Sequence, residues 1–232
     1  ANVTKTGMRG DMGFGVFNPE RYAGVGESTG VLKSDGELSV AGFGFNSASE
    51  SDAKYFIVPE MGMTMPLSEQ ISVGMAFVAN GGMNTTYPVN QFSFNSFNPD
   101  IPGSDAKLGV DMMQLLVPLT VGYKVNEDHA IGAALQFAVT RFRAYGLESF
   151  AYFDEKLGQD ITADPAHLTG NGFDYSYGAG VKLGWQGEFL DDKLTLGLAY
   201  TSRTYMTNFD KYRGLFAEQG DFDIPENYGL GI

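Results

Sequence analysis

Strict alternation of apolar and small or polar residues is the feature that most constrains the fold. Residues 172–203 contain two long alternating runs joined by an acidic turn, and a period of two predicts pleated strands with one apolar face each. The apolar positions are Tyr175, Tyr177, Ala179, Val181, Leu183 and Trp185 in the first run and Leu194, Leu196, Leu198 and Tyr200 in the second. Alternation by itself fits either a soluble β-sandwich or a membrane β-barrel.

The lengths of the connections separate these two folds. Short turns at 67–70, 126–128 and 190–193 alternate with long segments at 18–52, 85–106, 146–171 and 208–225. A similar run follows each short turn: SEQISVGMAF, EDHAIGAALQF and DDKLTLGLAY. Short turns at one end and long loops at the other are typical of a bacterial outer-membrane barrel, and a soluble sandwich usually lacks this polarity.

The runs predict about eight antiparallel strands. Their ranges are 8–17, 54–65, 71–79, 108–125, 131–145, 175–186, 194–201 and a last strand that begins at 226. The third strand is expected to end at Asn80-Gly81-Gly82, and amphipathic stretches at 147–157 and 209–218 predict short helices in the long loops. The aromatic residues form two expected membrane-interface belts: Tyr123 and Trp185 near the short turns, and Tyr145, Tyr200 and Tyr205 toward the long loops.

Composition agrees with an all-β chain and excludes several functions. The chain has 31 glycines, 18 phenylalanines and 12 tyrosines but no cysteine, so a disulfide scaffold and a thiolate metal site are ruled out. The net charge of −13 argues against nucleic-acid binding. His129 and His167 lack an evident serine or aspartate partner, so we expect no enzyme activity. No metal and no cofactor are expected.

Three runs carry a family resemblance: LGLAYTSRTYMTNFDKYRGLF, FDIPENYGLGI and NGGMNTTYP. They resemble the FadL family of long-chain fatty acid and hydrocarbon transporters in Gram-negative outer membranes, and the resemblance extends over most of residues 8–232. It implies a transmembrane antiparallel barrel plugged by an N-terminal hatch. Because no hatch segment is evident and about eight strands cannot close that barrel, residues 1–232 are expected to form a partial barrel, unless the eight strands close on themselves.

The resemblance also implies where substrate is captured and released. Family members capture substrate in an apolar groove between the third and fourth extracellular loops and release it sideways through an opening at a kink in the third strand. The groove candidates are Leu147, Phe150, Phe153, Leu157, Phe209, Tyr212, Leu215 and Phe216. The lateral-gate candidates are Gly81 and Gly82, whose alternative role is a simple strand end. Otherwise the groove candidates only pack the loops on the rim.

Four basic residues have positions that bear on ligands. Lys182 and Arg203 share the polar face of adjacent strands, where they would bind a ligand carboxylate or line the interior. Arg141 and Arg143 share the lipid-facing parity of their strand, where they would meet lipopolysaccharide phosphate unless a bulge turns them inward. We therefore expect contacts with outer-membrane lipid and lipopolysaccharide.

The function expected from these observations is passive outer-membrane transport of long-chain fatty acids or hydrocarbons by a monomer. The first alternative is a structural or adhesive outer-membrane barrel whose loops bind a partner. The second is a soluble sandwich, which would bury Leu194, Leu196 and Leu198 between two sheets.

Overall fold

Nine antiparallel strands form one sheet in the computed structural model of the protein. The structure describes residues 7–23, 31–32, 38–39, 49–88, 90, 107–151, 153–154, 159–160, 162–191 and 193–232. The strands are β1 (Arg9–Phe17), β2 (Phe56–Pro66), β3 (Ile71–Tyr87), β4 (Leu108–Lys124), β5 (His129–Tyr145), β6 (Asp174–Phe189), β7 (Leu194–Thr201), β8 (Tyr205–Met206) and β9 (Asn227–Gly231). Sheet order follows chain order along an eight-strand path, with β8 pairing β6 beside β7. This confirms the all-β antiparallel prediction; β1 and β9 are the edges of the described sheet.

The long connections carry short strand pairs and short helices. The strand pairs are Tyr22–Ala23 with Ser49–Glu50, Val31–Leu32 with Leu38–Ser39, and Phe153–Asp154 with Gln159–Asp160. The helices are three 3-10 turns at Glu148–Phe150, Pro165–His167 and Asp210–Tyr212, and a further short turn at Ala217–Gly220 has Glu218 and Gln219 at positive φ. None of the helices within the described ranges is long and apolar enough to cross a membrane.

The short helices predicted in these loops form, but they cover only part of the amphipathic stretches 147–157 and 209–218. Over 147–157 the described chain makes a single 3-10 turn and then enters a strand at Phe153–Asp154. Over 209–218 a 3-10 turn stops before Gly214, and Glu218 has a positive φ of 52°. A Cβ on Gly214 would lie 2.0 Å from the Asp164 carbonyl oxygen, so this position serves the close approach of two loops rather than a helix.

The two faces of the sheet differ in chemistry. The outer face exposes aliphatic and aromatic side chains, for example Leu135 at 57%, Phe137 at 45% and Leu183 at 52%. The inner face buries polar side chains, and Gln136 Nε2 donates a 3.2 Å hydrogen bond to Thr204 Oγ1 across it. No second sheet covers the outer apolar face in the described part of the chain. This contradicts the soluble sandwich and is the arrangement expected of a lipid-facing wall.

The short turns lie together at one end of the sheet. Lys124 N donates to Gln70 O at 2.8 Å, and Glu188 N donates to Asp128 O at 2.8 Å, so the first two short turns are each hydrogen-bonded to the end of a neighbouring strand. Beside them on the outer face, Trp185 stacks on His129 with ring centroids 5.8 Å apart. The predicted polarity of short and long connections is therefore present in the fold.

Strand β3 does not end at its glycine pair, contrary to the sequence prediction. It continues to Tyr87, and its register with β4 passes from Ala79↔Leu115 to Gly81↔Gln114. Asn80 is therefore the extra residue of a β-bulge. An extra residue reverses the side-chain parity of everything after it.

Candidate functional site

An apolar cluster fills the inner face where the long loops meet the sheet. We call it the rim cluster; its buried members are Phe142, Ala144, Phe209 and Tyr212, and its partly buried members are Val110, Met112, Leu147, Leu215 and Phe216. Phe142 and Ala144 alternate with the outward arginines of β5, and so point to the inner face. The other rings come from the last long loop. The rim cluster therefore packs the last long loop against the inner face of the sheet.

Ring packing centres on Phe142. Its centroid lies 5.5 Å from Phe209, 5.0 Å from Tyr212 and 4.8 Å from Phe216. The Tyr212 hydroxyl donates to Gly172 O and lies 3.4 Å from Ala144 O, so its polar end is satisfied. Burial is the main cause of the raised pKa of Tyr212. This tyrosine remains a neutral hydrogen-bond donor, as an apolar setting requires.

An apolar cavity of about 430 Å³ adjoins the rim cluster. Its lining includes Met83, Tyr87, Val110, Phe142, Leu147 and Phe216. Met83 and Tyr87 lie on the inner face only because the bulge at Asn80 reverses the parity of β3. Alternation read from the sequence had not identified Met83, Tyr87, Val110 or Phe142 as site residues. Phe142 could have been predicted from the sequence, since its place in the alternation of β5 puts it on the inner face.

The structure brings most of the predicted groove residues together. Leu147, Leu215 and Phe216 are half-buried and line the cavity, whereas Phe209 and Tyr212 have no exposed surface. Phe150 lies in the 3-10 turn next to Leu147 and is also half-buried. For Phe153 only the backbone is described, in a short strand, and Leu157 lies outside the described residues.

Hydrogen bonds join the two loops that carry these residues. Asp164 is the centre of the contact: its Oδ1 lies 2.8 Å from His167 Nδ1, and its Oδ2 accepts from Arg213 Nε at 2.5 Å. Gly214 N donates to His167 O at 3.1 Å. The hydrogen bonds from His167 first, and then from Arg213, lower the pKa of the Asp164 carboxyl. The 162–171 and 207–225 loops are thereby held as one unit.

A window opens in the wall between β2 and β3. Their pairing stops at Glu60↔Val78, although both strands continue toward the loops. On the long-loop side of the window, two hydrogen bonds join the chain before β2 to β3. Asp52 N donates to Thr86 O at 2.7 Å, and Thr86 N donates to Ser51 Oγ at 3.0 Å. Gly81 borders this window, and a Cβ built on it would meet no atom of a described residue within 4 Å. Among the described strands, the bulged stretch of β3 therefore has a partner on one side only.

Lys182 and Arg203 are not equivalent in the structure. Lys182 is exposed on the inner face beside a cavity of about 660 Å³ and makes no ion pair with a described residue. Arg203 lies in a break between β7 and β8, 3.9 Å from both Asp223 and Glu226. Beyond that break Thr204 and Met206 occupy the buried inner positions. Lys182 is the cation with an unpaired charge on the described inner wall.

Metal chemistry finds no support in the described part of the chain. No group of three or more His, Asp or Glu side chains there is arranged to hold a metal ion. The closest polar grouping, Asp164 with His167 and Arg213, is a contact between loops.

Comparison with known proteins identifies the family. The model of the family described as outer membrane protein transport protein (OMPP1/FadL/TodX) matches residues 24–222. The fold resembles the crystal structure of the toluene transporter TodX of Pseudomonas putida with a TM-score of 0.51 and 13% identity, over 87% of this chain and 47% of that one. A FadL homologue of Pseudomonas aeruginosa gives a TM-score of 0.48 and 14% identity, over 85% and 44% of the two chains. A comparison with curated protein sequences gave no match.

The family match covers far more than half of the chain, and the similar fold is a barrel of the same type. The chain spans about half the length of the solved structures that it matches. The family is one of transport proteins rather than enzymes, and its members are outer-membrane proteins of Gram-negative bacteria. Both points agree with what the sequence predicted. The chain belongs to the OMPP1/FadL/TodX family of outer-membrane transport proteins.

Proposed function

We propose that the protein takes up hydrophobic small molecules passively across the outer membrane. The observation that carries this proposal is the apolar cavity between the rim cluster and the bulged half of β3. A cavity of about 430 Å³ is large enough for a small hydrocarbon or a part of an acyl chain. Each CH₂ group transferred from water into such a site contributes roughly 0.8 kcal/mol to binding.

Capture would begin at the half-buried residues of the cavity. Leu147, Leu215 and Phe216 have accessible apolar surface and would contact the ligand, with Phe150 beside them. Phe209 and Tyr212 are fully buried, so their role would be to hold the loop in place. Phe153 and Leu157 remain candidates for the same groove.

Release would be lateral, through the window between β2 and β3. The cavity lining includes Met83 and Tyr87, which lie on the strand that borders the window, so a ligand would have an apolar path from one to the other. In this proposal Gly81 and Gly82 form the gate because a residue without a side chain leaves the passage open.

The ligand class is a hydrocarbon or a long-chain fatty acid. The similarity to a toluene transporter favours the first, and the accessible charge of Lys182 on the inner face favours a carboxylate. Arg203 is a weaker candidate because Asp223 and Glu226 already lie near it. The protein would act as a monomer among outer-membrane lipids and lipopolysaccharide.

Uptake by the full-length protein tests this proposal. Cells that lack other uptake systems would express wild type, Phe216→Asp, or Ala217→Asp as the neighbouring exposed control. Radiolabelled toluene and a radiolabelled long-chain fatty acid would be supplied separately. We expect Phe216→Asp to lose at least tenfold in uptake, since a carboxylate in an apolar cavity is costly to bury, and Ala217→Asp to match wild type.

Two results would overturn the proposed uptake function. Wild-type protein that is folded in the membrane but gives no uptake of either compound would favour a structural or adhesive barrel. Equal uptake by Phe216→Asp and wild type would remove the cavity from the path.

A further inference from the structure

We infer that the outer face of β5 carries a binding site for the phosphate monoester of an outer-leaflet glycolipid, formed by Arg141 and Arg143. Both side chains lie on the lipid-facing side of an uninterrupted β4–β5 ladder, so no bulge turns them inward. They remain partly accessible, with 32% and 40% of their side-chain surface exposed. The inference depends on membrane placement and is independent of transport.

The two guanidinium groups are held in place by a shared carboxylate and a shared ring. Asp111 is 7% exposed; its Oδ1 lies 3.1 Å from Arg141 Nη2, and its Oδ2 lies 3.6 Å from Arg143 Nη2. Phe173 lies beneath both, 4.3 Å from the Arg141 guanidinium carbon and 4.4 Å from that of Arg143. A fixed pair of cations binds an anion at little entropic cost.

The two arginines have positive charge and hydrogen-bond donors that Asp111 does not use. Two arginines share one aspartate, which leaves one net positive charge. Only Nη2 of each arginine is used toward Asp111, and no described residue accepts a hydrogen bond from Nη1 or Nε of either side chain. A guanidinium offers five donors in a planar fork that matches phosphate oxygens. The unused Nη1 groups are therefore suited to a second anion that approaches from the lipid side.

The position of the site along the barrel wall selects the kind of anion. Ile131 pairs with Trp185 at the short-turn end, and Arg141 comes ten residues after Ile131 on the same strand. At about 3.3 Å per residue and a tilt of about 40°, this separation is about 25 Å along the membrane normal. That is about the height of the apolar band of an outer-membrane barrel. The arginines consequently lie at the level of the outer-leaflet headgroups.

A phosphate monoester is the anion best suited to this place. It carries more charge than a diester and presents three oxygens to the fork, which matches two adjacent guanidinium groups. Tyr175 pairs with Arg141 in the ladder and is 48% exposed on the same face, so a sugar or an acyl chain attached to the phosphate would find an aromatic surface. A free phosphate ion would lack that second contact.

Binding of defined lipids to the purified full-length protein tests the inference. The probes are bisphosphorylated lipid A, dephosphorylated lipid A, phosphatidylglycerol as a diester, and inorganic phosphate as a competitor. The variant is R141Q/R143Q, and R9Q is the matched control, because Arg9 is also a strand arginine paired with an aspartate but lies near the short turns. We expect wild type and R9Q to bind bisphosphorylated lipid A alike and R141Q/R143Q to bind at least tenfold more weakly.

A second variant set separates binding from folding, because R141Q/R143Q leaves Asp111 buried without a partner. The triple variant D111N/R141Q/R143Q removes that orphan charge and should fold without binding. D111N alone keeps both cations, so it should bind lipid A at least as tightly as wild type. Equal binding of phosphorylated and dephosphorylated lipid A, equal binding of phosphatidylglycerol, displacement by millimolar inorganic phosphate, or unchanged binding by the triple variant would each overturn the assignment.

Discussion

The side-chain amide of Asn80 donates a hydrogen bond of 2.6 Å to Gln114 Oε1, and Gln114 Nε2 donates in turn to Thr140 Oγ1 at 3.1 Å. Asn80 is the bulged residue of β3, and its partners lie on the inner faces of β4 and β5. The polar chain thus fixes the irregularity that reverses the parity of β3. The inner position of Met83 and the borders of the window both depend on it.

Replacing Asn80 by alanine should destabilise the barrel by about 1–3 kcal/mol, since the buried Gln114 Oε1 would lose its donor. The measurement is the free energy of unfolding of the full-length protein from lipid vesicles in denaturant. Asn208→Ala is the control, because Asn208 makes only an exposed hydrogen bond to Gln219 O. A loss of the same size for both variants would mean that the bulge does not rely on this hydrogen bond.

Filling the window should block release without removing binding. Gly81→Phe places a ring where the structure has free space beside the unpaired stretch of β3. We expect uptake of radiolabelled toluene or fatty acid to fall at least tenfold while equilibrium binding to purified protein is retained. Gly15→Phe is the matched control, because a Cβ built on Gly15 of β1 would also meet no atom within 4 Å in the described part of the chain. Normal uptake by Gly81→Phe would exclude a lateral exit at this point.

Truncation of Phe142 should be among the costliest single changes in the described fold. Phe142 is 2% exposed and contacts three rings, so Phe142→Ala should lose about 3–5 kcal/mol of unfolding free energy. Phe137→Ala on the same strand is the control, because Phe137 is 45% exposed on the outer face and its loss leaves no cavity. Similar costs would show that the rim cluster adds no stability beyond strand pairing.

Docking of the two loops should resist mild acid. The pKa of Asp164 is lowered below its ordinary value of 3.8 by His167 and Arg213, so its carboxylate favours the docked state above that value. This contribution is lost only as the pH falls through the lowered pKa. Spin labels on cysteines placed at the exposed Ala166 and Ala217 report the loop separation, and the absence of native cysteine makes labelling specific.

We expect the distance between these labels to stay constant from pH 7 to about pH 4 and to broaden in stronger acid. Asp164→Asn should show the broad distribution at every pH, and Asp210→Asn, a change on the exposed 3-10 turn, should behave as wild type. Broadening of the wild-type distance already near pH 6 would contradict the role of Asp164.

Trp185 should lie at the membrane interface on the short-turn side. It is the one tryptophan of the chain, and it stacks on His129 at the level of the turns. Its fluorescence should therefore be quenched more by lipids brominated near the headgroup than by lipids brominated at the acyl-chain ends. Phe137→Trp in a Trp185→Phe background is a deeper reference on the same outer face, because Phe137 lies six residues beyond Ile131, the strand partner of Trp185; it should show the opposite order. Stronger quenching of Trp185 by lipids brominated at the acyl-chain ends would contradict the inferred position of the apolar band. It would also contradict the inferred level of Arg141 in the membrane.

Strand positions were predictable from the sequence because successive side chains of a β-strand point to opposite faces of the sheet. The alternation of Leu194, Leu196 and Leu198 indicated the outer face of β7 before any contact was known, and the pairing of Leu198 with Trp185 agrees with it. The break after Thr201 was not predictable in this way. Beyond it Thr204, and not Arg203, takes the buried inner position, because one irregular residue changes parity for all that follow.

The rim cluster was only partly predictable, for a related reason. The amphipathic spacing of Phe209, Tyr212 and Phe216 indicated a buried face but not its partner, and it suggested a longer helix than the 3-10 turn that forms at Asp210–Tyr212. These rings instead pack on Phe142, which precedes them by more than sixty residues in the chain. Tertiary contacts of this range leave no periodic signal in the sequence.

The sheet order described above has a consequence for how such a wall is assembled. Each main strand lies next to its predecessor in the chain, and no connection crosses over another strand of the described path. A new hairpin therefore needs only the free edge of the last one as a template, and closure of distant segments is deferred to the end. Growth by successive hairpins lets barrels of different circumference arise from one repeated unit, with specificity added afterward in the loops.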